Sequence, residues 1–257
     1  MLRTISEWRR PGSTCRGGLV WFACDLRPGA GWGVLDSAGR PKAAYWYLKR
    51  ACAPVALLAI DEGLNGLWLH AVNDTSQPIE ADLRVALYRE GRLRGARVST
   101  TVTIPERGFR SVHADALFDG FVDLTYGYRF GPPGHDVVAA TLTDRVTGAV
   151  LATAHGFPCG LPITRDSAIS LTVVVEPIET GYAMTLATNR FAHAVAVEAE
   201  GFVPDDNFIH LEPDAPRRIV LHADVPGRPL RASVAAVNSG AALTIESSMH
   251  EEVSDVH

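Results

Sequence analysis

Gly17-Gly18-Leu19-Val20-Trp21-Phe22-Ala23-Cys24-Asp25-Leu26 is followed closely by Gly31-Trp32-Gly33-Val34-Leu35-Asp36 and then by Gly39-Arg40-Pro41-Lys42. Residues 19–23 are apolar at successive positions, so an extended chain there is apolar on both faces, the pattern of a strand covered on both sides. The spacing predicts a buried strand over 18–25, a Pro/Gly-rich loop, and a helix through 42–50 with Pro41 suited to its first turn. Such a strand needs neighbours, and residues 1–50 supply none.

Upstream, residues 1–16 read as the end of a helix stopped at Pro11-Gly12, because proline lacks an N–H donor and glycine favours a turn. Downstream, Pro54 ends the second helix. From Val55 onward, short alternating or apolar runs are separated by Gly, Asn, Asp and Pro, which marks antiparallel sandwiches. The first predicts strands over 66–73, 79–88, 99–104, 110–113, 122–130, 136–142 and 150–155, with 158–162 as linker. The second predicts strands over 170–176, 182–188, 194–199, 218–222, 232–237 and 241–246. A weak internal repeat supports the division: 66–73 and 181–189 each run from a glycine through a strand to an asparagine, Asn73 or Asn189.

The 257 residues allow one to three domains with a sizeable core. With 24 Lys+Arg against 29 Asp+Glu, the net charge of −5 gives no basic face, which argues against nucleic acid as a partner. No segment reaches the roughly 18 apolar residues of a membrane span, and the first residues lack a signal-peptide run, so the expectation is a soluble chain, cytoplasmic by default. Cys15, Cys24, Cys52 and Cys159 stand apart without CxxC pairs and read as free thiols. The nine histidines show no chelating spacing, no GxSxG nucleophile is present, and Gly131-Pro132-Pro133-Gly134 reads as a turn.

The 17–42 stretch resembles the eighth strand, eighth loop and last helix of the catalytic (β/α)8 barrel of glycoside hydrolase family 2, in its β-mannosidase branch. Phe130-Gly131-Pro132-Pro133-Gly134-His135-Asp136 supports the likeness, and Phe202-Val203-Pro204-Asp205-Asp206-Asn207-Phe208-Ile209-His210-Leu211 is similar to the family's closing sandwich. The resemblance implies a mainly β fold: two immunoglobulin-like β-sandwiches preceded by a barrel remnant of last strand, loop and helix. The expected division is 1–53 barrel unit, 54–162 first sandwich, 163–248 second sandwich and 249–257 flexible tail. It further implies that this is the C-terminal part of a longer retaining glycosidase, which releases terminal β-linked mannose and needs neither metal nor organic cofactor. The partners of that intact enzyme would be β-mannoside sugars, with no nucleic acid and no membrane.

Retaining glycosidases use two carboxyl groups about 5–5.5 Å apart. In the family these glutamates end the fourth and seventh barrel strands, which would precede Met1, so no catalytic residue is assigned to this chain. Glu7, followed by two arginines and Pro-Gly, reads as a surface helix residue. The resemblance assigns substrate contact to Trp21, Asp25 and Trp32. A flat indole suits the apolar C–H face of a pyranose. Trp21 also reads as a core residue of a buried strand, and Asp25 as a strand-end or turn residue; both alternatives stay open. Cys24 stands where the family usually has an amide residue, and Arg27 where it usually has a tryptophan. A second hypothesis is a non-catalytic module that binds glycan or scaffolds a catalytic partner. Its candidate platform residues are Trp68, Tyr88, Phe109, Tyr126 and Tyr128, and alternation makes most of them plausible core.

Overall fold

A computed structural model describes residues 1–15, 17–161 and 164–247. The chain divides into two compact units, Met1–Leu161 and Pro162–His257. Both are built from antiparallel strands, and the expected tail at 249–257 lies outside the described residues. Among the described residues no helix is long and apolar enough to cross a membrane.

The first unit opens with helices α1 (Leu2–Arg9) and α2 (Ala43–Ala51). Strands β1 (Val55–Asp61), β2 (Leu67–Asn73), β3 (Ile79–Arg89), β4 (Arg92–Leu93), β5 (Val98–Ile104), β6 (Gly108–His113), β7 (Val137–Asp144) and β8 (Val150–Gly156) follow. They form a three-stranded sheet ordered β1-β2-β6 and a five-stranded sheet ordered β4-β3-β7-β8, with β5 also paired to β3. Leu57, Leu67, Leu69 and Ala71 of the smaller sheet share a buried core with Leu83, Val85, Val102, Val138 and Leu142 of the larger one.

The smaller sheet is covered on its other face too. Register aligns Ala56 with Val72 and Phe109, and Leu58 with His70 and Ser111, on the side away from the core. There Ala56, Leu58 and Val72 make a second buried cluster, and α1 and α2 lie against β1. This explains why 55–60 is apolar without alternation: a strand buried on both faces has no polar side to write. Arg9 ties the layer together. Its guanidinium donates to the carbonyls of Ala51 and Ala53 at 2.6 and 3.0 Å and to the Asp74 carboxylate at 2.7 Å, joining α1 to the end of α2 and to the turn after β2.

The second unit holds β9 (Leu171–Ile178), β10 (Gly181–Thr188), β11 (Ala192–Ala199), β12 (Phe202–Pro204), β13 (Ile209–Leu211), β14 (Arg217–Ala223), β15 (Leu230–Ala235) and β16 (Leu243–Ser247). Its two sheets are ordered β12-β14-β10-β9 and β13-β11-β15-β16. Tyr182, Met184, Leu186, Ile219 and Leu221 of one face Val195, Val197, Leu211 and Val234 of the other across a single core.

Asparagines, buried at 73 and 207 and exposed at 189, bond to backbone groups of neighbouring segments. Asn207 accepts from Val197 N at 2.8 Å and donates to Val197 O at 2.8 Å, continuing the pairing of β11 two residues beyond the Val195–Ile209 match with β13. Asn73 and Asn189, the residues that end the internal repeat, have matching roles. Asn73 donates to the carbonyls of Gln77 and Pro105 and accepts from Thr75 N; Asn189 bridges Ser170 N and Ala168 O.

Two expectations are corrected. The strand over 18–25 does not form: its one ladder contact is an isolated bridge from Cys24 to Leu35, and Leu19 is fully exposed. Neighbouring strands to cover it are absent from residues 1–50, as the pattern required. The strand over 122–130 is also absent, because the Asp123 carboxylate accepts from the Gly127 and Tyr128 amides and folds the chain into turns. Of the five candidate platform aromatics, Tyr88 is fully buried core, whereas Phe109 and Tyr128, both candidates from the sequence, are exposed.

Two measurements follow from this packing. Asn207→Leu should lower the second unit's unfolding free energy by about 2–3 kcal/mol, since it strands the buried Val197 amide and carbonyl; an unchanged denaturant midpoint would contradict that role. His70 shares a 2.8 Å hydrogen bond with Ser111, while its buried Nε2 has no hydrogen-bond partner among the described residues. Burial holds its pKa below the ordinary value, so the unfolded chain binds the proton more readily than the folded one. The first unit should therefore be most stable above the ordinary histidine pKa and lose stability as pH falls from about 7 to about 5. His70→Gln should flatten that slope in denaturant titrations, and an unaltered slope would exclude His70 as its source.

Candidate functional site

The loop that follows Trp21 is shaped from one carboxylate. Asp25 is buried, accepts from Gly33 N at 2.7 Å, and pairs with the Lys42 ammonium. Lys42 also reaches Gly31 O at 3.2 Å and stands at the N-cap of α2. One ion pair thus fastens both ends of the 25–42 loop to the helix start. A side chain at Gly31 would overlap the Asp25 carboxylate, and a Cβ at Gly33 would come 2.6 Å from Asp25 N, so both positions require glycine. The hydrogen bond from Lys42 holds the Asp25 carboxyl below the usual carboxylate range, against the opposing effect of burial.

The second half of the loop uses Asp36. Its carboxylate accepts from Ala38 N and Arg40 N, both at 2.9 Å, and from Arg40 Nε at 2.7 Å, closing a turn that brings Pro41 beside Leu35. The Arg40 amide contributes most to holding the Asp36 carboxyl low. Cys24, at the position where an amide was expected, donates its thiol to Asp36 O at 3.0 Å.

This scaffold presents two indoles. Trp21 and Trp32 are each 84% exposed, and both line one open groove of about 1230 Å³. Trp8 and Tyr45 from the helices, and Val72 with Phe109 from the β1-β2-β6 sheet, complete its aromatic and apolar wall. The Trp21–Phe22 peptide is cis. The groove's charged lining is cationic, from Arg9, Arg10 and Lys49; among the described residues no Asp or Glu side chain lines it. Glu7 lies outside it, paired with Arg10 at 2.6 Å.

The structure therefore brings Trp21 and Trp32 to one surface, while Asp25 turns its carboxylate into the loop. Sequence reasoning missed Lys42 and Tyr45 as parts of this site, and named Phe109 only as a candidate platform aromatic of the sandwich. Arg27 and Arg40 stand nearer to Asp25 in the sequence than Lys42 does, so spacing alone did not single out Lys42 as its partner. The place of Phe109 beside Val72 comes from the β2–β6 register. Among the described residues no group of three or more His, Cys, Asp or Glu side chains could hold a metal ion.

No family model matches the chain. A 52-residue stretch is 46% identical to beta-mannosidase B of Thermothelomyces thermophilus, covering 20% of this chain and 6% of that protein. The fold is similar to the β-D-mannosidase of Dictyoglomus thermophilum, with TM-score 0.69 and 20% identity over 86% of this chain and 26% of that one. It is also similar to the Amycolatopsis orientalis exo-chitosanase CsxA, with TM-score 0.68 and 14% identity over 96% of this chain and 33% of the other. The chain thus spans a third or less of each of these proteins. The chain is thus similar in a 52-residue stretch to a part of one β-mannosidase, and in fold to a part of another.

Proposed function

We propose that the chain is the non-catalytic C-terminal portion of a retaining β-mannosidase-like glycoside hydrolase, and that it hydrolyses no glycoside alone. The observation that carries this reading is the groove itself. Two exposed indoles offer stacking surface for a sugar, yet none of its described lining side chains is a carboxylic acid. Retaining hydrolysis needs an acid/base and a nucleophile facing each other, about 5–5.5 Å apart. Without them neither the leaving-group proton nor the covalent glycosyl intermediate is available.

In the intact parent, Trp21 and Trp32 form part of the wall that receives a terminal β-mannoside. Asp25 acts one step removed, as a positioning residue that sets Trp32 through the Gly31–Gly33 backbone. This fits the chemistry on both sides. An indole contributes through its flat face and must be held at a fixed angle, whereas a buried, ion-paired carboxylate is already committed.

Incubating the purified chain with p-nitrophenyl β-D-mannoside should release no nitrophenol above a heat-denatured control; turnover would overturn the proposal. The positioning role has its own readout. Asp25→Asn should speed hydrogen exchange at the Gly33 amide and broaden the Trp32 indole resonance, with the melting of both sandwiches unchanged. Acid should act in the same direction: the ion pair is intact above the usual carboxylate range and is lost as pH falls through the lowered Asp25 pKa. A Trp32 resonance indifferent to both changes would remove Asp25 from this role.

A further inference from the structure

The connection 118–136, between the turn Ala114–Leu117 and β7, carries a second exposed aromatic surface. It has no regular structure, yet it is firmly tied down. Leu124 is buried, its amide donates to Asp115 at 3.1 Å, and its carbonyl meets the buried His135 ring at 3.2 Å. Thr125 Oγ1 donates to Gly63 O at 2.7 Å, Tyr126 Oη to Gly131 O at 2.8 Å, and Arg89 to Pro133 O at 2.8 Å. Tyr126 and Arg129 hold left-handed backbone angles, φ 55° and 56°, which non-glycine residues adopt at a cost and keep only when their surroundings fix them.

This rigid loop displays its aromatic rings outward. Phe121, Tyr128 and Phe130 are 70%, 43% and 78% exposed, and they touch in series with centroids 5.3 and 5.7 Å apart. Phe121 and Tyr128 border a pocket of about 370 Å³ that also meets Asn65, His113, Asp115 and Asp123. Three contiguous exposed rings on a fixed loop are costly in water, and such patches mark interaction sites.

From this geometry we propose that Phe121, Tyr128 and Phe130 form a binding platform for a neutral glycan, separate from the Trp21–Trp32 groove. A pyranose presents an apolar C–H face and a rim of hydroxyls, and matches rings flanked by polar side chains. A protein interface instead gathers its aromatics in a core depleted of charge. Here Asp123 and Arg129 interleave with the rings, and the two aspartates beside the pocket disfavour an acidic sugar. The proposal does not rest on the catalytic ancestry of the chain.

Calorimetry of the full chain against mannohexaose, cellohexaose and chitohexaose, each up to millimolar concentration, tests it. At least one should bind. Phe121→Ala and Phe130→Ala should each weaken that binding about tenfold or more, whereas Val146→Ala, in the exposed turn between β7 and β8, should leave it unchanged. Because both phenylalanines are exposed, their variants should keep the parent melting temperature. A readout that needs no variant stands beside this: irradiating the chain's aromatic resonances should transfer saturation to the C–H protons of the bound sugar. Silence with all three sugars, or affinity indifferent to the phenylalanines, would overturn the platform.

Discussion

Strands β1 and β2 are buried on both faces, and the organisation of the first unit depends on that double cover. One face packs on the larger sheet; the other, carrying Ala56, Leu58 and Val72, is closed by α1 and α2. Exposing those side chains would forfeit about 25 cal/mol for each Å² of apolar surface, so helices and sheet are expected to stand or fall together. Arg9 reinforces the arrangement by satisfying two carbonyls at the end of α2, where a helix has no internal donors left. The groove follows as a consequence, since it is the space left between the helices, the sheet edge at Phe109 and the loop that Asp25 holds.

The division of labour in that loop is informative. Charged groups shape it and aromatic groups face outward. Asp25 with Lys42 and Asp36 with Arg40 are each fully engaged within the loop, so their charges are spent on geometry. What remains accessible is flat apolar surface beside cationic side chains. The chain spans a third or less of the structures whose fold it shares.

Most of both sandwiches was legible because alternation reports a strand with one wet face. The readings failed where that condition failed. Strand β1 has no wet face, so its apolar run carried no alternation to read. Residues 18–25 share the same local pattern but lack neighbours, and the structure leaves Leu19 and Trp21 in solvent. Residues 122–130 alternate convincingly, yet Asp123 captures the amides a ladder would need. At the candidate site, Trp21 and Trp32 were readable as indoles in a Gly-rich context. The inward turn of Asp25 was not, since it depends on a lysine seventeen residues away. The asparagines that end the internal repeat were visible as a pattern, but their bridging of separate backbone segments emerges only from the fold.

The central claim is that α1 and α2 belong to the core of the first sandwich and fold with it. Amide hydrogen exchange on the intact chain tests this most directly. The amides of α2 and of β1 should be protected to a similar degree and open together as denaturant is added, while residues 17–21 exchange at nearly the unfolded rate. If β1 stays protected under conditions where both helices exchange freely, the helices are ornaments on a sheet that needs no second cover, and the account is wrong.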